Sequence, residues 1–213
     1  SPHTAIHLMR VLAEAGLPDG VANLVVGAGA EAGAPLSEDP RVDLVSFTGG
    51  LVTGKRIMVA AAATVKKIAL ELGGKNPNIV YADCDVEAAL DNALNAVFLH
   101  SGQVCSAGAR LIVEESLHDR FVDALVARAE HIRIGGPFDS GAETGPLTSP
   151  EHLAKVEAYV AAGVAEGATL RTGGRRPQGT TPAGEPYDAG CYYLPTIFDD
   201  CTSAMSIVQD ESF

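Results

Sequence analysis

Val65-Lys66-Lys67-Ile68-Ala69-Leu70-Glu71-Leu72-Gly73-Gly74-Lys75-Asn76-Pro77-Asn78-Ile79-Val80-Tyr81 holds two β-type runs parted by a glycine pair. Val65 to Leu70 predicts a strand ending at Glu71, and Pro77 to Tyr81 predicts another. Beyond them, Asp85 predicts the N-cap of a helix whose apolar face is Val86, Leu90, Leu94, Val97 and Phe98. Cys105 follows in a loop of small residues, Gly102-Gln103-Val104-Cys105-Ser106-Ala107-Gly108, and Ala109 to Val113 is the next strand. A carboxylate beside two glycines and a thiol in an uncrowded loop can serve as general base and nucleophile.

Upstream the same alternation holds. Ser1-Pro2 reads as an N-cap and N1 pair opening a helix over residues 3 to 15, with Ile6, Met9, Leu12 and Ala13 at helical spacing and Gly16 as its stop. Val21 to Val26 predicts a short buried strand leading into Gly27-Ala28-Gly29-Ala30-Glu31-Ala32-Gly33 and a helix. A glycine-rich strand-to-helix turn lets a nucleotide approach the backbone, although such turns also serve tight packing. The spacing is one residue longer than the usual dinucleotide fingerprint. Asp43 to Phe47 predicts a strand that Thr48-Gly49-Gly50 turns into a helix through Ile57, Met58 and Ala60 to Ala63. Strands alternating with helices, with ligand-like turns at the strands' carboxyl ends, describe a parallel, doubly wound α/β sheet.

Downstream, a helix is predicted from Leu117 to Ile132, a loop over 135–145, and a helix opened by Ser149-Pro150 and closed by Gly167. Residues 171–190, rich in glycine and proline, read as an exposed hairpin or surface loop. Cys191 to Leu194 and Pro195 to Phe198 read as strands. The chain starts without methionine and stops at Gln209-Asp210-Glu211-Ser212-Phe213 without a closing signal, so a fragment is expected.

A net charge of −12 and a pI near 4.8 oppose nucleic acid or an anionic membrane as partner. Lys66-Lys67 and Arg175-Arg176 are too short to reverse that. No apolar run reaches the length of a membrane span, and no signal-peptide order stands at the start, which predicts a soluble protein. Cys84, Cys105, Cys191 and Cys201 form no Cys-x-x-Cys pair and no zinc-ligand spacing, so no metal site is expected and a reducing cytoplasm suits them.

Taken together and in order, Leu17-Pro18 with Val21-Ala22-Asn23, Ser46-Phe47-Thr48-Gly49-Gly50, Glu71 through Pro77, Gly102-Gln103-Val104-Cys105, Gly145-Pro146-Leu147 and Asp210-Glu211-Ser212-Phe213 resemble the aldehyde dehydrogenase superfamily. The resemblance implies the C-terminal part of a Rossmann-like parallel-sheet cofactor domain over residues 1–71. An α/β catalytic domain, truncated at its C-terminus, then occupies 72–213. It implies oxidation of an aldehyde to its carboxylic acid with NAD or NADP, NAD ahead, in a homodimer or homotetramer. The cysteine loop looks closest to the betaine aldehyde dehydrogenase branch, which points to betaine aldehyde.

By the same resemblance Cys105 is the nucleophile and Glu71 the general base that releases the acid; partial burial is expected to tune Glu71 for that work. Gly29, Gly33, Phe47, Thr48, Gly49, Gly50 and Leu72 match cofactor-lining positions, Glu211 the residue on the nicotinamide ribose, and Phe213 the aromatic beside it. Gly50 departs from the family's usual serine and Val52 from a frequent acidic residue. The family's oxyanion asparagine and its adenosine-ribose residues correspond to positions before Ser1, so residues 1–213 alone are expected to be inactive. Two other readings stay open: a non-catalytic structural or binding protein on the same fold, and a cysteine hydrolase without redox cofactor. Without Cys105 and Glu71 in use, the first has no reason for them; the second leaves the glycine turns unexplained.

Overall fold

The computed structural model describes residues 2–213; Ser1, read as the first N-cap, lies outside them. The chain divides into two compact units, Ser1–Leu72 and Gly73–Phe213. The first runs α1 (Pro2–Glu14), a π-helical turn (Gly29–Gly33), α2 (Ala34–Glu38), β1 (Leu44–Gly49), α3 (Leu51–Ala62) and β2 (Lys67–Leu72). Pro2 suits a first turn that needs no N–H, and Gly16 leaves α1 at φ +85. β1 and β2 pair in parallel with α3 as crossover, Leu44 opposite Lys67 and Gly49 opposite Leu72. Burial alternates along both strands, and α3 presents Gly54, Ile57 and Ala61 at helical spacing as its buried stripe. Gly54 lies so close to Leu72 that a Cβ there would come within 2.9 Å of its Cδ2.

Two expectations fail in this unit. Val21 to Val26 forms no strand, and Val21 and Val25 are 66% and 67% exposed. A strand is completed by a partner, and among the described residues none pairs with this segment. Val65 belongs to the turn closing α3, at φ 53, where Lys66 N–H donates to Ala61 O at 3.2 Å. β2 therefore begins at Lys67 and continues through Glu71 to Leu72.

The second unit holds β3 (Pro77–Val80), α4 (Val86–Phe98), β4 (Arg110–Val113), α5 (His118–Ala129), α6 (Pro150–Ala165), β5 (Thr169–Thr172), β6 (Ile197–Asp199) and α7 (Ser206–Gln209). β3 and β4 are parallel around α4, and β5 and β6 are antiparallel with a bulge. Both predicted caps form: Asp85 accepts from the N–H groups of Glu87 and Ala88, and Ser149 from His152. Val80, Leu90, Ala93, Leu117, Phe121 and Leu125 make the core between β3, α4 and α5. Burying a side chain such as Leu90 or Phe121 contributes about 1.5–3 kcal/mol. Cys191 to Leu194 is not a strand; its backbone serves loops instead, Leu147 N–H donating to Cys191 O at 2.8 Å and Leu194 N–H to Arg175 O at 3.1 Å. Residues 171–190 are less free than a surface loop, for β5 reaches Thr172 and the Tyr187 hydroxyl donates to Ile134 O at 2.8 Å.

An ionic link ties α5 to the β5–β6 pair. His118 Nδ1 lies 2.9 Å from Asp119 and Nε2 3.1 Å from Asp199, while Arg171 bridges Asp199 and Asp123. Only the doubly protonated ring donates to both carboxylates. Asp119 chiefly, with Asp199, raises the His118 pKa against the opposing effect of burial. A raised folded value means stabilisation that is complete below the ordinary pKa of ~6.5 and is lost as pH climbs through the folded value. His118→Gln should therefore lower the thermal midpoint clearly at pH 5.5 and much less at pH 8.5. Equal shifts at both pH values would show that the charge on His118 is idle.

Candidate active site

The β1–β2 register sets the first group of site residues. Thr48 stands opposite Glu71, so both emerge on one face, and both are exposed. The partial burial expected for Glu71 is not found. Lys66, a few residues before it, donates from Nζ to the Asp39 carbonyl at 2.7 Å. Phe47, Gly49 and Leu72 occupy the opposite face, half-buried, with the Phe47 ring folded over Gly49 so closely that a Cβ there would meet it at 2.5 Å. Gly50 caps the N-terminus of α3. Gly29 and Gly33 bracket the π-helical turn, and a Cβ added at Gly29, Gly33 or Gly50 would meet nothing within 4 Å. Local packing does not require glycine at these three positions, whereas close approach by a ligand would.

In the second unit Cys105 is exposed in a loop fastened on several sides. The Asn76 amide donates to Cys105 O at 2.9 Å. Gln103 donates to His100 O at 3.0 Å and accepts from Thr148 N–H at 2.8 Å. Val104 N–H returns to Gly102 O and Ala107 N–H to Val104 O, each at 2.9 Å. Among the described residues no acceptor takes the Cys105 N–H. That leaves one donor beside the thiol, as stabilisation of an oxyanion on a carbon bound to sulfur requires.

The backbone entering this loop is unusual. His100, Ser101 and Gly102 are consecutively left-handed, at φ 51, 60 and 79. Each non-glycine residue in that region costs about 1–2 kcal/mol, and runs of them are not self-sustaining. Ser101 N–H donates to Thr144 Oγ1 at 3.0 Å, its hydroxyl to Gly145 O at 2.6 Å, and the Thr144 hydroxyl to Phe98 O at 3.2 Å.

A cleft of about 160 Å³ is lined by Gly102, Val104 and Ala107 of this loop, by Gly74 and Lys75, and by Glu211 and Phe213. Thus Glu211 and Phe213 join the neighbourhood of the nucleophile loop, as two separated stretches of sequence meeting in one place. Glu211 rests on Gly73 so closely that a Cβ would lie 1.7 Å from its Oε1. Among the described residues its carboxylate has no ion pair. Burial, then Arg110, pushes the Lys75 ammonium down, opposed by Cys201, Glu211 and Asp210. Burial, then Lys155, pushes the pKa of His152 on α6 down, opposed by its bond from Nε2 to Phe213 O at 3.2 Å, and its ring stands edge-on to Phe213 at 6.0 Å. Asn76, Thr144 and Thr148 were not singled out by sequence. Asn76 carried a faint signal as a polar residue directly before a strand-opening proline; the others carried none.

Among the described residues no group of three or more His, Cys, Asp or Glu side chains could hold a metal ion, and no helix is long and apolar enough to cross a membrane. The sequence model of the aldehyde dehydrogenase family matches residues 1–213. Betaine aldehyde dehydrogenase of Bacillus subtilis (strain 168) is 56% identical over 213 residues, 100% of this chain and 42% of that protein. A double mutant of Staphylococcus aureus betaine aldehyde dehydrogenase in complex with NAD+ is 47% identical with a TM-score of 0.95, over 100% of this chain and 42% of its own. HpcC from Thermus thermophilus is likewise 47% identical, with a TM-score of 0.96 over 100% of this chain and 41% of its own. The chain therefore spans about 42% of the length of the relatives it matches.

Proposed function

Because this chain belongs to the aldehyde dehydrogenase family, we propose that the whole protein oxidises an aldehyde to its carboxylic acid with NAD+, and that betaine aldehyde is its substrate. The observation that carries the reading is the exposed Cys105 in a fastened loop, with its own N–H unengaged among the described residues. Residues 1–71 belong to the cofactor domain and 72–213 to the catalytic domain. The relative's name and the NAD+ complex support the choice of aldehyde and of NAD+ over NADP+. Free cysteines suit a cytoplasmic protein, and we place the whole protein there as a homodimer or homotetramer.

The residues present fit a nicotinamide dinucleotide. Gly29, Gly33 and Gly50 leave open space above the backbone, and Glu211 offers a carboxylate whose two oxygens suit vicinal ribose hydroxyls. Phe47, Thr48, Gly49, Leu72 and Phe213 complete the set assigned to it. When bound, the dinucleotide supplies the hydride acceptor. The Cys105 thiolate adds to the aldehyde carbon, forming a C–S bond while the carbonyl pair moves to oxygen, where the Cys105 N–H stabilises it. Loss of hydride leaves a thioester on Cys105. Glu71 then takes a proton from water as the water oxygen adds to the thioester carbon; the C–S bond breaks and the acid leaves.

The direct test is NADH formation by the full-length protein, with betaine aldehyde compared against aliphatic and aromatic aldehydes. A flat response to all of them would sink the proposed activity; a strong preference for another class would sink the substrate. Gly73→Ala supplies a sharper check on Glu211. The new methyl group can be accommodated only if the flexible Glu211 side chain swings away, so the fold should survive while ribose contacts fail. Charge-assisted hydrogen bonds of about 1.5–3 kcal/mol correspond to a rise in KM for NAD+ of roughly 10- to 150-fold. A KM within twofold of the parent would remove Glu211 from the cofactor site.

A further inference from the structure

We propose that Thr144 is a positioning residue for the nucleophile loop, its hydroxyl locking the left-handed turn His100-Ser101-Gly102 and thereby fixing where Cys105 stands; the catalytic part of this proposal rests on the function assigned above. The turn does not hold itself, since two adjacent non-glycine residues occupy the left-handed region. Its restraint comes from Thr144 and from the carbonyl of the next residue, Gly145, which accepts the Ser101 hydroxyl at 2.6 Å. One oxygen accepts the Ser101 N–H at 3.0 Å and donates to Phe98 O at 3.2 Å, so it joins the end of α4 to the middle of the turn. Phe98 O is among the carbonyls that a helix C-terminus leaves without an intrahelical partner.

Thr144 is itself anchored. Its N–H donates to Arg133 O at 3.2 Å, its carbonyl accepts from Gly135 N–H at 3.0 Å, and Ile134 between them is 3% exposed. The restraint is thus transmitted from buried backbone to the turn through the Thr144 hydroxyl, with the Ser101 hydroxyl bound to Gly145 O as a second tie beside it. Gln103 adds a second tie from the same loop to Thr148, which leaves Cys105 carried on a segment fixed at both ends with Asn76. A loop with this geometry holds the thiol and its adjacent N–H in place before substrate arrives, which reduces the reorganisation needed in the transition state.

Thr144→Val keeps the side-chain shape and removes the hydroxyl's hydrogen bonds. In the full-length protein, amide exchange over residues 100–106 is expected to accelerate at least about tenfold, as local opening becomes easier. kcat for aldehyde oxidation is expected to fall about 10- to 50-fold, with KM for NAD+ within twofold, as for a small misplacement of a reacting group. Thr144→Ser restores the hydroxyl and should bring both back within about threefold. Ser101→Gly retains the N–H bond to Thr144 and relieves a left-handed residue while giving up the Ser101 hydroxyl's bonds to Thr144 Oγ1 and Gly145 O, and its kcat is expected within about threefold of the parent; this variant also serves if Thr144→Val does not fold. Exchange and kcat unaltered in Thr144→Val, faster exchange with unaltered kcat, or a tenfold or greater loss in Ser101→Gly each overturns the proposal. If the parent protein forms no NADH from any aldehyde, the assigned activity fails, and the exchange rates alone decide whether Thr144 locks the turn.

Discussion

Cys105→Ala is expected to lower aldehyde oxidation by at least ~10⁴-fold, because it removes the atom to which the substrate carbon binds. No neighbour offers relief. Ser106 is a hydroxyl one position along the loop, a far weaker nucleophile than a thiol at neutral pH. Cys201, the other exposed thiol among the described residues, is pushed up by partial desolvation and by Asp199 and Asp200 against Lys75, which lowers its thiolate fraction. Since Cys105 is exposed and outside the core, its replacement should leave the thermal midpoint nearly unmoved. Loss of activity with an unmoved midpoint identifies chemistry rather than folding as the casualty. NADH formation at more than a tenth of the parent rate would show that the thiol is not the nucleophile.

Local chemistry is what the sequence expressed most clearly. Asp85 and Ser149 were legible as caps because the groups they bond lie two or three residues away. The strands around Ser46, Leu70, Ile79 and Leu111 were legible because each is followed or preceded by a helix of matching period. Val21–Val26 misled for the complementary reason: β-branched composition states a preference, while a strand exists only with a partner beside it. Cys191–Leu194 misled likewise, its carbonyls and N–H groups being claimed by residues 147 and 175.

The site divides in the same way. Glu71, Gly73 and Cys105 stand in short strings whose composition already points to chemistry, and Glu211 could be placed by resemblance. Thr144 could not. It lies 43 positions from Ser101, in a segment that reads only as loop, and its role follows from a backbone conformation that no residue type at 100 or 101 announces. Two adjacent non-glycine residues in the left-handed region would ordinarily argue against such a turn, which is why the restraint had to come from elsewhere in the chain.

Glu71→Gln is expected to slow steady-state turnover about 10²- to 10³-fold while leaving the first turnover largely intact. Glu71 belongs to a strand whose hydrogen-bonded register fixes its backbone, and it emerges on the exposed face with Thr48, free to reach water. Glutamine keeps the size of the side chain and its place on that face but cannot accept a proton at neutral pH. Formation of the C–S bond and loss of hydride need no proton acceptor at this position once the thiol is ionised. Rapid mixing should therefore give a burst approaching one NADH per Cys105, followed by slow release of acid. The acylated enzyme would accumulate and should be visible by mass on intact protein as substrate acid bound at Cys105. Hydroxylamine, a nucleophile that attacks thioesters without a general base, should raise the slow phase in the variant far more than in the parent. A loss of turnover with no burst would move Glu71 to an earlier step, as the base that ionises Cys105, and a parent-like steady state would remove it from the chemistry.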